Sequence, residues 1–376
     1  MKIAYLSTFY PFRGGIAQFN AALYRAFEQE HKIKAFTFTR QYPKLLFPGK
    51  TQYVEKGDDA DEIPSAAVLD TINPISYYLA AKKILDFEPN LLITKFWMPF
   101  FAPSLGMLAK SLKKKGVKTI CIVDNILPHE PKPFDRALVN FYANQQDGFI
   151  VMTEQVKLDL LKVRQNAKYS LFPHPIYDHF PKKIEKNLAR RELGIADDKK
   201  VLLFFGFIRS YKGLDLLIET MKNLDESYHL IIAGEDYGTF KSISKQIKDY
   251  GLENRISQFV RYISDSEVPI IFSASDLLVL PYKSGTQSGI VGISYHYDLP
   301  VVATDVGGLK EMLLPYSTGL IVSEPASDLL KVAIEEYFEK GLSEKFSKNI
   351  FNYKEKYNWE NLSYAIIDLY NSIANG

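Results

Sequence analysis

Apolar residues along the chain fall in short continuous runs, separated by longer stretches in which they recur every three or four positions. In the first half the runs are KIAYLS (2–7), KIKAFTF (32–38), LLITKF (91–96), KTICIVD (118–124), DGFIVMT (147–153) and YSLFPH (169–174), and helical spacing marks 16–28, 76–86, 104–115 and 134–145. A strand buried on both faces by helices has no polar face to show, so runs apolar throughout that alternate with helices predict a parallel sheet. After FPHPIYDHFPKKIEKN, which reads as a linker rich in Pro, Lys and His, the rhythm restarts. Strands are expected at 201–207, 229–235, 256–262, 276–282, 300–306 and 319–323, with helices near 213–222, 239–249, 266–273, 288–297 and 326–338. The pattern predicts an α/β protein of two doubly wound, Rossmann-like domains, 1–180 and 181–350. The tail 351–376 holds a helix, WENLSYAIIDLYNSIA, whose apolar stripe needs a surface to cover and is expected to pack back towards the N-terminal domain.

A chain of 376 residues that is 47% hydrophobic can fill two cores. Lys and Arg number 46 against 44 Asp and Glu, and a net charge of +2 argues against nucleic acid as a partner. One cysteine, Cys121 in an apolar run, forms no internal disulfide and suits a reducing compartment, so a cytoplasmic location is expected. The start, MKIAYLSTF, reads as a first strand rather than a signal peptide. The most apolar window, LLITKFWMPFFAPSLGML, is interrupted by Lys95, Pro99 and Pro103 and is no membrane span.

In open α/β sheets ligands bind beyond the carboxyl ends of the strands, which directs attention to the loops there. FFGFIRSYKGLDLLIE (204–219) is the strongest: the strand ends at Gly206 and Phe207, and Arg209 and Lys212 precede a helix. Arg grips phosphate oxygens in a fork and Lys adds a point charge, so the pair suits a multiply charged anion, although two such residues are also ordinary surface charges. TQSGIVGISYH (286–296) carries no carboxylate. With Ser284 or Thr286 as cap, the N–H groups of Ser288, Gly289 and Ile290 would face an anion, favoured by the helix dipole; a capped helix with no ligand is the plain alternative. FYPFRGGIAQF (9–19) lacks the full G-x-G-x-x-G pattern, and Gly14 and Gly15 serve either a tight turn or a close backbone approach to the same anion. A D-x-D pattern in DDADE (58–62) follows no apolar strand and is read as a solvated acidic loop. No His/Cys cluster has metal-ligand spacing.

These segments resemble the retaining GT-B glycosyltransferases of the family 4 type. FGFIRSYKGLDLLIE, LIIAGE, GLENRISQFVRYISDSEVPIIFSASDLLVLPY and LPVVATDVGGLKEML stand in the family's order, and GGI, VDNILPHE and DGFIVMTE are less specific matches. The resemblance implies two Rossmann-like domains facing across a cleft, a nucleotide diphosphate sugar as donor, a carbohydrate or lipid-linked acceptor, retention at the anomeric carbon, and neither cofactor nor bound metal. Carried over, Arg209 and Lys212 hold the donor diphosphate, Gly15 gives a close backbone contact, the 288–290 backbone meets phosphate or sugar, and Arg261, Tyr262 and Ile263 lie by the base. The sequence departs from the pattern where members have two glutamates separated by seven residues: Gly285 and Ile293 stand there, and Ile cannot accept hydrogen bonds from a ribose.

In VDNILPHE, Asp124 occupies the strand end where members often have a His facing the sugar, with His129 five residues on; turn capping and a plain loop histidine are the alternatives. His174 and His296 are expected to be structural, and Glu311 fits the first turn of a helix without further cause. Lys110, Lys113, Lys114, Lys115 and Lys118 crowd a helix end. A solvated face is the default for them, and peripheral contact with anionic lipid at the inner membrane face is the alternative. Because of Gly285 and Ile293, a non-catalytic nucleotide-sugar-binding partner is the rival to a transferase, and a dinucleotide oxidoreductase lacks its glycine pattern.

Overall fold

The apolar runs fold as parallel strands of two separate sheets, in a computed structural model that describes residues 1–43, 52–54, 61–127, 134–176, 180–285 and 289–375. Two compact units result, Met1–His174 with Tyr357–Gly376, and Pro175–Lys356.

In the first unit the chain runs β1 (Lys2–Leu6), α1 (Gly15–Glu28), β2 (Lys32–Arg40), β3 (Ser65–Asp70), α2 (Pro74–Leu85), β4 (Leu91–Phe96), α3 (Ala102–Lys113), β5 (Lys118–Val123), α4 (Asp135–Gln145), β6 (Gly148–Val151), α5 (Glu154–Val163) and β7 (Tyr169–Leu171). The sheet order is β3-β2-β1-β4-β5-β6-β7, all parallel. Every residue of β4 is buried, as the continuous run LLITKF requires. β3 is a strand that hydropathy did not mark: SAAVLD pairs with β2 through a shifted register and is buried at Val68 and Leu69.

The second unit contains α6 (Lys186–Glu192), β8 (Lys200–Phe205), α7 (Leu214–Asn223), β9 (Tyr228–Ala233), α8 (Phe240–Asp249), β10 (Ile256–Phe259), α9 (Val268–Ala274), β11 (Leu277–Leu280), α10 (Gly289–His296), β12 (Val301–Thr304), α11 (Leu309–Leu313), β13 (Gly319–Val322), α12 (Ser327–Glu339) and α13 (Ser343–Lys356). Its parallel sheet is ordered β10-β9-β8-β11-β12-β13. The segment read as linker runs into α6 at Lys186 and Asn187, and α6 is fastened to this unit by an unusual core residue. Arg190, 3% exposed, donates to Asp276 Oδ2 at 2.7 Å and to the carbonyl of Ala274 at 3.1 Å.

α14 (Trp359–Ala374) then returns to the first unit. Trp359 meets Phe19 of α1 edge-on at 5.0 Å, and Leu369 and Ile373 cover Gly148. A Cβ there would come within 2.6 Å of Ile373 Cδ1.

Both sheets reverse strand order once, at β1/β4 and at β8/β11. At such a reversal adjacent loops leave in opposite directions and open a crevice at the carboxyl edge, so each unit has one edge position suited to a ligand. Among the described residues no helix is long and apolar enough to cross a bilayer.

Candidate functional site

The carboxyl edge at β8/β11 holds a cavity of about 520 Å³. From the end of β8 come Phe205, Gly206 and Phe207, and from the turn after it Tyr211 and Lys212; the end of β9 gives Gly234 and Glu235. Tyr262 and Ile263 follow β10, while Tyr282, Gly285, Gly289 and Ile290 belong to the β11–α10 connection. Two glycines let these chains approach. Gly213, at φ +69°, ends the turn in a left-handed conformation, and a Cβ there would collide with the carbonyl of Pro281. Gly234 likewise lies against the Gly206 backbone. The β8 turn is thereby pressed against the exit of β11, which puts Lys212 between the two.

Lys212 is 8% exposed and lines the cavity. Its ammonium stands 5.1 Å from the ring of Tyr282, and among the described residues it has no carboxylate partner and no hydrogen-bond acceptor. Burial first, and the nearby Arg209 charge second, lower its pKa from 10.5 to about 8. A buried ammonium without a counter-charge is costly, and an anion entering the cavity would supply what the protein does not. α10 begins in the same wall at Gly289, where an added Cβ would meet no atom within 4 Å. Backbone N–H groups at that end can therefore be reached closely, and the helix dipole adds to the attraction for negative charge.

Not every residue singled out from the sequence lies in this wall. Arg209 does not line the cavity. Ile208 N donates to Glu235 O at 2.8 Å and Tyr237 N to Ile208 O at 3.1 Å, which carries the turn along the segment that follows β9. The Arg209 guanidinium is thereby stacked over Tyr237, 4.5 Å from its centroid. It acts on Lys212 through its field alone. Arg261 is also turned elsewhere. Ser264 holds the Glu267 carboxylate ahead of α9, its N–H and Oγ donating to Oε2 at 3.1 and 2.7 Å, and the fixed carboxylate captures the Arg261 guanidinium. That ion pair, together with Ser264, brings the Glu267 pKa down to about 2. Gly206, Tyr262, Gly289 and Ile290 do line the cavity. Ser288 and Thr286 lie outside the described residues, as does His129.

Sequence reasoning missed Tyr282, Tyr211 and Glu235. Tyr282 read as the end of an apolar run and Tyr211 as a loop residue between the two cations; Glu235 ends the apolar run of β9 with an acid at its carboxyl edge, and that was the available signal. Glu235 is exposed and is the one carboxylate among the described lining residues.

The first unit's β1/β4 edge is polar and internally satisfied. Asn20 Nδ2 donates to Ser7 Oγ at 2.9 Å and to Thr8 O at 2.8 Å, while its Oδ1 accepts from Tyr5 OH at 2.5 Å. Gly14, at φ +105°, precedes α1 without a side-chain cap, and Gly15 opens the helix. Asp124, at the end of β5, accepts from Lys95 Nζ at 2.6 Å. Lys95 is 2% exposed and lies 3.6 Å from the Phe19 centroid; burial lowers its pKa and Asp124 opposes that shift. Asp124 is thus held as the counter-charge of a buried lysine. His174 packs against Phe19 and Trp359, and His296 against Tyr297.

As to metals, residues 58–60 of DDADE lie outside the described residues and Asp61 bonds Arg25 at 2.9 Å. Among the described residues no three His, Cys, Asp or Glu side chains gather. The lysines near the end of α3 lie at the amino edge of the sheet, away from the carboxyl-edge loops, and Lys113 pairs with Asp147 at 2.6 Å.

Residues 185–357 match the family model Glycosyl transferases group 1. Curated relatives include a D-inositol 3-phosphate glycosyltransferase of Corynebacterium urealyticum, 26% identical over 198 residues that make 49% of this chain and 46% of the relative. Another is the lipopolysaccharide core biosynthesis mannosyltransferase LpsB of Rhizobium meliloti, 28% identical over 184 residues, 46% of this chain and 51% of that protein. The chain spans about half the length of the curated relatives it matches. Among solved structures, Anabaena HepE in complex with UDP shares the fold with a TM-score of 0.68 and 16% identity, covering 99% of this chain and 100% of that one. Two parallel-sheet, Rossmann-like units are the constituents of the GT-B fold that such neighbours adopt. The cavity around Lys212 falls inside the matched segment, which makes up nearly all of the second unit and is similar to a Glycosyl transferases group 1 domain.

Proposed function

We propose that the protein is a retaining glycosyltransferase, moving a hexose or related sugar from a nucleoside diphosphate donor to a carbohydrate or lipid-linked acceptor in cell-surface polysaccharide or glycoconjugate synthesis. The observation that carries this is Lys212, a buried ammonium without a carboxylate partner among the described residues, facing a cavity at a strand-order reversal. Breaking the anomeric C–O bond leaves the bonding electrons on the departing diphosphate, so fixed positive charge at that place lowers the barrier. Lys212 and the amides opening α10 supply it, with Arg209 adding field from its seat on Tyr237. The acceptor oxygen forms the new bond to the anomeric carbon and yields its proton to the leaving phosphate, which balances the transfer without a separate base. The protein's own cations take the charge that a metal would otherwise screen, and transfer is expected to survive a chelator.

Recognition of the donor's ribose falls to Glu235. Ile293 offers no acceptor, whereas the Glu235 carboxylate in the cavity wall can take two hydroxyl hydrogen bonds. A non-catalytic nucleotide-sugar-binding protein is the second reading, favoured by Gly285 and Ile293 alone. Incubation with uridine, guanosine and adenosine diphosphate sugars and a carbohydrate acceptor, with chelator present, separates the two. A transferase releases free nucleoside diphosphate and loses most of that rate in Lys212→Met; binding without release supports the second reading.

A further inference from the structure

The first unit presents an apolar helix face that the nucleotide site does not use. In α2, Tyr77, Ala80, Ala81 and Ile84 are buried, while Ile75, Tyr78 and Leu79 are 70%, 71% and 51% exposed. Positions three and four apart share a face, and the next on it are Lys82 and Lys83, both exposed. Ile72, just ahead of the Asn73 cap, extends the apolar end. α3 packs beside α2 and repeats the arrangement: Met107 is exposed in its middle, Lys110 follows, and Lys114 and Lys115 project just past its end. Both helices lead from one strand of a parallel sheet to the next, so they run the same way and their basic ends lie together.

An exposed Leu by itself is ordinary, but several apolar side chains on one face beside a band of lysines form a patch of a particular kind. The acids close to it do not neutralise that band. Asp147 is engaged by Lys113 at 2.6 Å and Glu88 by Lys2 at 2.7 Å, which leaves, of these described acids, Asp86 at the end of α2 against five lysines. Two convex helix faces with an outward Tyr and a basic border suit the headgroup region of an anionic bilayer, where apolar groups sink shallowly and ammonium groups meet lipid phosphates. We infer that the α2–α3 face of the first unit is a contact surface for anionic lipid membrane. The apolar half of α2 lies towards the carboxyl edge of its sheet, since the helix starts just beyond the end of β3. If the proposed function holds, a lipid-linked acceptor would therefore be met at the edge that carries Gly14 and Asp124.

The test is flotation of the full chain with phosphatidylcholine vesicles, with and without phosphatidylglycerol, at low and high salt. The chain is expected to float with the anionic vesicles, less so at high salt, and weakly with neutral ones. Lys82→Gln/Lys83→Gln/Lys110→Gln is expected to lose about fivefold in partitioning for each lysine removed. Tyr78→Ser/Leu79→Ser is expected to weaken binding to both kinds of vesicle while the circular dichroism and melting of the full chain are unchanged, which guards against misfolding of the first unit. No binding to anionic vesicles, or binding indifferent to both sets of substitutions, overturns the inference. So does a dimer in sedimentation that Tyr78→Ser/Leu79→Ser dissolves, because the face would then belong to a second copy. Lost nucleotide binding with vesicle binding intact would count against the proposed function and leave this surface standing.

Discussion

Lys212 combines a cost to the fold with a use for the ligand. Burial brings its pKa down to about 8 from the 10.5 of an exposed lysine, so between those values the unfolded chain holds a proton that the folded one has lost. Stability therefore rises with pH across that window, and below pH 8 the buried charge is a net burden. Lys212→Met is expected to raise folding stability by about 1–3 kcal/mol in denaturant titrations at neutral pH. A bound diphosphate restores the proton, so nucleotide affinity should be level below about pH 8 and fall by up to about tenfold per unit above it. Calorimetry finding the same affinity on both sides of that pH would count against Lys212 as the anion's partner. Glu235 is tested by the ligand's own hydroxyls. Losing a charge-assisted hydrogen bond worth about 1.5–3 kcal/mol should make a deoxyribose nucleoside diphosphate bind tenfold or more weakly than the ribose form. Glu235→Gln should shrink that preference, and a preference left intact would assign ribose recognition elsewhere. At this scale the sequence disclosed residue types better than directions. Arg209 and Arg261 were legible as cations, but backbone bonds to the segment after β9 and a carboxylate fixed by Ser264 decide where their guanidinium groups go.

The turn from β8 to α7 is the element on which the site depends, because it seats Lys212 against the end of β11. Gly213→Ala would add a methyl that collides with the Pro281 carbonyl at a left-handed φ of +69°. The variant is expected to lose about 1–3 kcal/mol of stability and to bind nucleotide more weakly, since Pro281 and Lys212 are displaced together. Unchanged melting and affinity would contradict the packing described. Elements buried by continuous apolar runs were legible in the sequence, and those held by other means were not. α6 buries an arginine, which hydropathy scores as surface. α13 has only Phe346, Ile350 and Tyr353 buried in 14 residues, too sparse a stripe to stand out. β3 carries only Val68 and Leu69 as large apolar residues beside two alanines, and Thr153 ends one expected strand early by capping α5 through Val156 N at 3.1 Å.

For the whole molecule, two separate parallel sheets follow from the two cycles of apolar run and helix, and each sheet's strand reversal indicates where its ligand edge must be. Strand order itself was not legible, because parallel neighbours are distant in sequence and nothing local records which loops will meet. The candidate site was therefore readable as separate loops, and the fold supplied the fact that the turns after β8 and β11 are neighbours. The most direct test is titration of uridine, guanosine and adenosine diphosphates into the wild-type chain and into Lys212→Met, with inorganic pyrophosphate as competitor. At least one nucleotide is expected to bind, pyrophosphate to displace it, and the folded Lys212→Met protein to lose tenfold or more in affinity. Binding by Lys212→Met equal to wild type, or no binding of any of the three by the wild-type chain, would contradict this expectation.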